Sequence, residues 1–135
     1  VGPSLRLLSV RSVTGLSGPR HVCGTPDGGF AVSEECGGVK LYGPRHRLLR
    51  SLGETPAFRL GNPAGVAVDP GGNVLVADEQ ERSVVLFPPR GEPVAVVTEG
   101  LRKPAGLACC ERGRVYVADP PDGCVKVFCY RGDRH

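Results

Sequence analysis

The chain has no Met and no Trp, only three Tyr and four Phe, and of its seventeen basic residues only Lys40, Lys103 and Lys126 are lysine. With so few aromatic rings, a surface that stacks unpaired bases has little to work with. No apolar run approaches the roughly 20 residues of a membrane-spanning helix. The first residues, through Arg6 and Arg11, do not form the apolar core of a signal peptide. The missing initiator Met is consistent with a fragment or a processed form. Long helices are excluded as well. Twenty Gly and thirteen Pro, about a quarter of the 135 residues, interrupt the chain, and the longest run free of both is Asn73–Phe87. Gly follows no three-residue period, so the chain is not collagen-like.

What is present is compact runs of Val, Leu, Ala and Cys separated by turn residues, the composition of an all-β domain of short strands. The net charge of +3 is too small to imply a nucleic-acid partner. The six cysteines, Cys23, Cys36, Cys109, Cys110, Cys124 and Cys129, contain no C-x-x-C pair. They are expected as reduced, mostly buried thiols of an intracellular, cytoplasmic protein, without disulfides and without a zinc site.

The sequence repeats itself. Pro19, Pro63 and Pro104 open three similar units, and the second and third align without a gap: Gly65 with Gly106, Ala77-Asp78 with Ala118-Asp119, Phe87 with Phe128. The first is divergent, with Ser33-Glu34 in place of Ala-Asp. Each unit reads as four strands, a to d. In the second they are Gly65–Val68, Val74–Ala77, Val84–Phe87 and Val94–Val97. Strands b and c are apolar at every position, which calls for burial on both faces, as between stacked sheets. Asp78 and Asp119 are expected to cap the b–c turns. Leu5–Val10 reads as a further strand d ahead of the first unit, and the third unit lacks one. Twelve strands are therefore expected: residues 1–15 as a strand that completes a blade, 16–58 as repeat 1, 59–99 as repeat 2 and 100–135 as repeat 3 without its own d.

The opening Pro-x-Gly-Val-Ala-Val-Asp, the Gly-Asn-Val turn, the Val-Ala-Asp and the closing Val-x-Val-Phe resemble NHL repeats, a type of β-propeller blade. The resemblance covers about residues 16–132. Glu81-Arg82-Ser83 and Asp122-Gly123-Cys124 stand where the family often carries Asn-His-Arg. The fold it implies is all-β: three four-stranded antiparallel blades, forming an open partial propeller or half of a six-bladed ring. A homodimer, in which each N-terminal strand completes the partner's last blade, is one way to close such a ring.

Some NHL-type propellers are lyases with channel metals held by several His. Of His21, His46 and His135, only His21 lies on an inner strand, so neither a metal nor another cofactor is expected and the chain reads as a non-enzyme. Other relatives bind single-stranded RNA on one face or recruit substrates for RING-type ubiquitin ligases. This chain has no RING spacing, so any such role is confined to substrate recognition or scaffolding with an unidentified protein partner. The loop face formed by the b–c and d–a turns carries Glu34, Glu35, Asp78, Glu79, Glu81, Asp119 and Asp122 with Arg102 and Lys103. As the candidate interface it favours a basic protein over RNA. The opposite face offers an alternative basic patch of Arg45, His46, Arg47, Arg90, Arg112 and Arg114.

Overall fold

The computed structural model describes residues 4–130. The sequence places a Gly or Pro turn after every four to six strand residues, so each strand returns beside the one before it. Eleven strands result. The first blade holds β1 (Pro19–Gly24), β2 (Phe30–Glu34), β3 (Val39–Tyr42) and β4 (Leu48–Leu52). The second holds β5 (Pro63–Val68), β6 (Val74–Asp78), β7 (Ser83–Phe87) and β8 (Val94–Val97). The third holds β9 (Leu107–Cys109), β10 (Arg114–Asp119) and β11 (Cys124–Cys129), with a single 3-10 turn at Pro120–Asp122. All pairings are antiparallel between neighbours in sequence. The three units and their strand order thus agree with the sequence reading.

Leu5–Val10, expected as a twelfth strand, forms no ladder among the described residues and is exposed. The free edge it would complete is that of β11, at the far end of the array.

The blades stack face to face, and period-2 alternation decides which side chain meets which neighbour. From the second blade, Val66, Val74, Val76, Val85 and Phe87 pack against Ala31, Val39 and Leu52 of the first. The alternate residues Leu75, Val84 and Val97 pack against Val115 and Val117 of the third. Val74–Ala77 and Val84–Phe87 of the middle blade are therefore apolar at every position, because both faces of these runs are covered by neighbouring blades. Two linker residues plug these inter-blade cores: Leu60 in the first and Leu101 in the second, 4% and 5% exposed. Each stands three residues ahead of a unit-opening proline. Leu16 holds the same place ahead of Pro19 and is only half-buried.

Where the inner strands β5 and β9 meet, only glycine fits. A Cβ on Gly65 would lie 2.3 Å from the carbonyl oxygen of Ala105, which already accepts the Gly65 N–H at 2.7 Å.

Candidate functional site

Because successive strands run antiparallel, the a–b and c–d turns emerge on one face of the array, and the b–c and d–a segments on the other. The second face is built around carboxylates at the ends of the b strands. Asp78 ends β6 and is buried; its two oxygens accept the N–H groups of Gly61 (2.8 Å) and Asn62 (3.1 Å) in the linker, and of Gln80 and Glu81 in the following turn. Asp119 ends β10 and holds the N–H groups of Arg102 and Lys103, each at 2.9 Å. Glu34 takes the same part in the divergent unit, accepting Ser17 N–H at 2.7 Å. Each carboxylate thereby fixes the linker that enters its own blade.

These contacts correct the sequence reading. Asp78 does cap the b–c turn. Asp119 instead holds the linker and the Lys126 ammonium, at 2.7 Å, with no hydrogen bond to its b–c turn among the described residues. Glu34, Asp78 and Asp119 were expected as partner-binding acids. All three are buried and bonded within the chain.

The electrostatics follow the same pattern. Burial would raise the Asp119 carboxyl, but Lys126 and the two linker N–H groups outweigh it and hold it down to about 2. Bonds to Asp119 and Asp122 push Lys126 up to about 12. Lys126 and Arg102 hold Asp122 below the usual carboxylate range. Glu79 pairs with Arg20 at 3.1 Å and with Lys103 at 3.5 Å, and it accepts the Asn62 side-chain amide. Arg102 pairs with Asp122. Of the acidic residues expected to bind on this face, only Glu35 and Glu81 are exposed and free of ion pairs among the described residues. The face is acidic in sequence and largely neutralised in structure.

The opposite face differs. Arg45, His46, Arg47, Arg90, Arg112 and Arg114 are all exposed there, and none of them forms an ion pair among the described residues. Between the first two blades this face opens a cleft of 280 Å³ with apolar walls of Pro26, Leu41, Leu49, Val68, Pro70 and Val74; Asp27 and Tyr42 also line it, and none of the six basic residues does. Asp69, which sequence reasoning overlooked, is buried at the neighbouring turn. It accepts the Asn73 backbone and side-chain N–H groups and, from the third blade, the Tyr130 hydroxyl at 2.7 Å. Burial and that bond push the Tyr130 phenol up. Its only sequence signal is an Asp ahead of Gly-Gly-Asn, which reads as an ordinary turn.

The aromatic rings are engaged internally. Phe30 stacks on Tyr42 with centroids 4.8 Å apart, and Phe58 meets Phe87 edge-on at 5.7 Å. His21 lies on β1, His46 tilts over Phe30 at 6.2 Å, and His135 is outside the described residues. Among the described residues no group of three or more His, Cys, Asp or Glu could hold a metal ion. The six thiols are free. Contrary to expectation they are not mostly buried: Cys36, Cys124 and Cys129 are exposed, and Cys23, Cys109 and Cys110 are half-buried. No described helix is long and apolar enough to cross a membrane.

Comparison with known proteins agrees with this architecture. The NHL repeat family model matches residues 60–83, the stretch from the Leu60 plug to the start of β7. NHL-repeat-containing protein 4 of Mus musculus is 48% identical over 103 residues, 76% of this chain and 76% of that protein. Its Homo sapiens counterpart is 52% identical over 87 residues, 64% of this chain and 71% of that protein. Among solved structures, Kuenenia stuttgartiensis hydrazine synthase superposes with a TM-score of 0.64 at 20% identity, over 92% of this chain and 36% of that one. Virginiamycin B lyase from Staphylococcus aureus gives 0.62 at 9% identity, over 85% and 42%. The chain thus spans well under half of either solved protein, and at these identities the likeness is one of fold, the β-propeller. The NHL-repeat match in the second blade, together with a relative 48% identical of which the chain covers 76%, shows that the chain belongs to the NHL-repeat family.

Proposed function

We propose that the chain is a non-catalytic protein-interaction module whose a–b and c–d turn face receives an acidic segment of a partner. The observation that carries this is a largely apolar cleft, with Asp27 its one charged lining residue, on a turn face whose arginines form no ion pair among the described residues. Arg45, Arg47 and Arg90 supply forked donors for carboxylates, and the walls around Leu41, Leu49 and Val68 accept an apolar side chain. The opposite face, although richer in carboxylates, has them buried or matched to Arg20, Arg102, Lys103 and Lys126, which leaves little for a basic partner. RNA is the weaker fit to the basic face because Phe30 and Tyr42 stack on each other and Phe58 meets Phe87 edge-on, which leaves few ring faces for bases to stack on. With no RING and no metal cluster among the described residues, a part in ubiquitin transfer is limited to presenting a substrate.

The test is fluorescence anisotropy with a labelled peptide of alternating glutamate and leucine, and with labelled oligouridine as a second probe. The peptide is expected to bind, to weaken severalfold as salt screens the arginines, and to be lost in the double variant Arg45→Glu and Arg47→Glu. Binding of oligouridine without the peptide would replace this reading by RNA recognition, and binding of neither would end it.

A further inference from the structure

Four observations meet at the two ends of the blade array. First, the outer edge of β11 has no neighbour among the described residues, whereas β3 and β7, its counterparts, each pair with a fourth strand. Second, the outer face of the third blade is apolar and open. Alternation along β10 and β11 turns Val115, Val117, Lys126 and Phe128 toward the second blade. Tyr116, Ala118, Val125 and Val127 turn away from it, with Val125 and Val127 60% and 54% exposed. In the second blade the corresponding residues Leu75, Ala77 and Val84 are fully buried by the next blade.

Third, Leu5-Arg-Leu-Leu-Ser-Val10 is an apolar segment exposed to an unusual degree: Leu5 97%, Leu7 79%, Leu8 87% and Val10 75%. Its position in the repeat is that of a fourth strand. Eight residues separate Val10 from Pro19, between the ten that separate Leu52 from Pro63 and the six that separate Val97 from Pro104. Fourth, the first blade's outer face presents the exposed Val22 and half-buried Phe30 beside the buried Val32 and Tyr42, on the side where residues 11–14 run past Tyr42 and His46.

We propose that two copies of this chain close a ring of six blades, each giving Leu5–Val10 as the fourth strand on the partner's β11 and its first-blade face to the partner's third-blade face. The C-terminal end of the register is set alike by both complete blades: Leu52 lies opposite Val39 and Val97 opposite Val84, so Val10 lies opposite the partner's Val125. Further along, a leucine faces the partner's Val127: Leu7 by the second blade's pairing of Val94 with Leu86, Leu8 by the first blade's pairing of Arg50 with Leu41. Both pairs set branched aliphatic side chains across a ladder, a favourable arrangement. Ring closure buries the half-exposed Leu16 as Leu60 and Leu101 are buried, and it removes both open edges. The occupant is a second copy because one end of the array lacks a fourth strand, the other carries a segment at that place in the repeat, and both ends expose apolar residues.

Light scattering on size-exclusion fractions tests this, with reductant present and from about 1 to 100 μM protein, since assembly of this kind depends on concentration. The expected mass is twice 14.2 kDa at the upper concentrations. Leu7→Pro alters a residue outside every ladder of the single chain and removes the donor the exchange requires. It is expected to give the single-chain mass with an unchanged circular dichroism spectrum. Val127→Glu, on the exposed face, should do the same. A wild-type mass near 14.2 kDa at every concentration overturns the proposal, as does a dimer that survives Leu7→Pro. A dimer that dissolves in reductant also overturns it, because a disulfide through Cys124 or Cys129 then holds the copies together. None of these outcomes bears on peptide binding by the turn face, so the two proposals fail separately.

Discussion

Asp78 gathers four backbone N–H groups from two segments that no strand ladder could satisfy. Removing it leaves four part-buried donors without their partner, and Asp78→Ala is expected to cost about 1–3 kcal/mol, read as a lower urea midpoint. Asp119 makes the same argument testable by pH. Its folded value, about 2, lies below the ordinary carboxylate value of about 3.9. The stabilisation is therefore complete above about pH 4 and is lost as the pH falls through 2. Lys126 works in the other direction. Raised to about 12, it contributes fully below about 10.4 and loses its effect as the pH rises through 12. Thermal melts between pH 2 and pH 5 should show a shallower acid slope for Asp119→Asn than for the natural chain. The thiols differ as well. Burial raises Cys109 to about 11, while hydrogen bonds from the Arg112 and Arg114 backbone lower its neighbour Cys110. Mass-resolved alkylation at neutral pH should label Cys110 well before Cys109.

The blades themselves were legible because their determinants are local. Val74–Ala77 and Val84–Phe87 show continuous apolar runs between Gly-rich turns, and the structure uses both faces of each. The clamps were half legible. Asp78 and Asp119 stand out by repetition, but their main partners lie in the preceding linker, and nothing in the local pattern points backward along the chain. The same difficulty hid Asp69, whose bond to Tyr130 joins residues 61 positions apart in successive blades. It also hid the neutralisation of the acidic face, because Arg20 reaches Glu79 only once the first two blades are stacked. The linker plugs give a test of inter-blade packing. Leu60→Ala should cost about 2–5 kcal/mol, as deletion of a buried leucine does, measured by denaturant unfolding. Gly65→Ala should also destabilise, since the added methyl meets the Ala105 carbonyl and strand β9 has to move away.

Across the whole molecule, polarity divides by face: one turn face holds its charges in pairs, and the other leaves its arginines to solvent. The ends of the array are apolar and the turn faces carry the charges, so the proposed association with a second copy and the proposed capture of a partner peptide would use different surfaces. The clamps carry a consequence for how such arrays change over generations. Ser17 to Glu34, Gly61 to Asp78 and Arg102 to Asp119 all span the same 17 residues. Donor and acceptor therefore travel together in one stretch of coding sequence. A duplication or loss that breaks just ahead of a linker adds or removes a complete blade with its carboxylate already matched. A break between linker and strand b strands a buried acid on one side and open N–H groups on the other. Blade number in such a lineage is thus free to change in whole steps, and chains cut at other points are selected against at the level of folding.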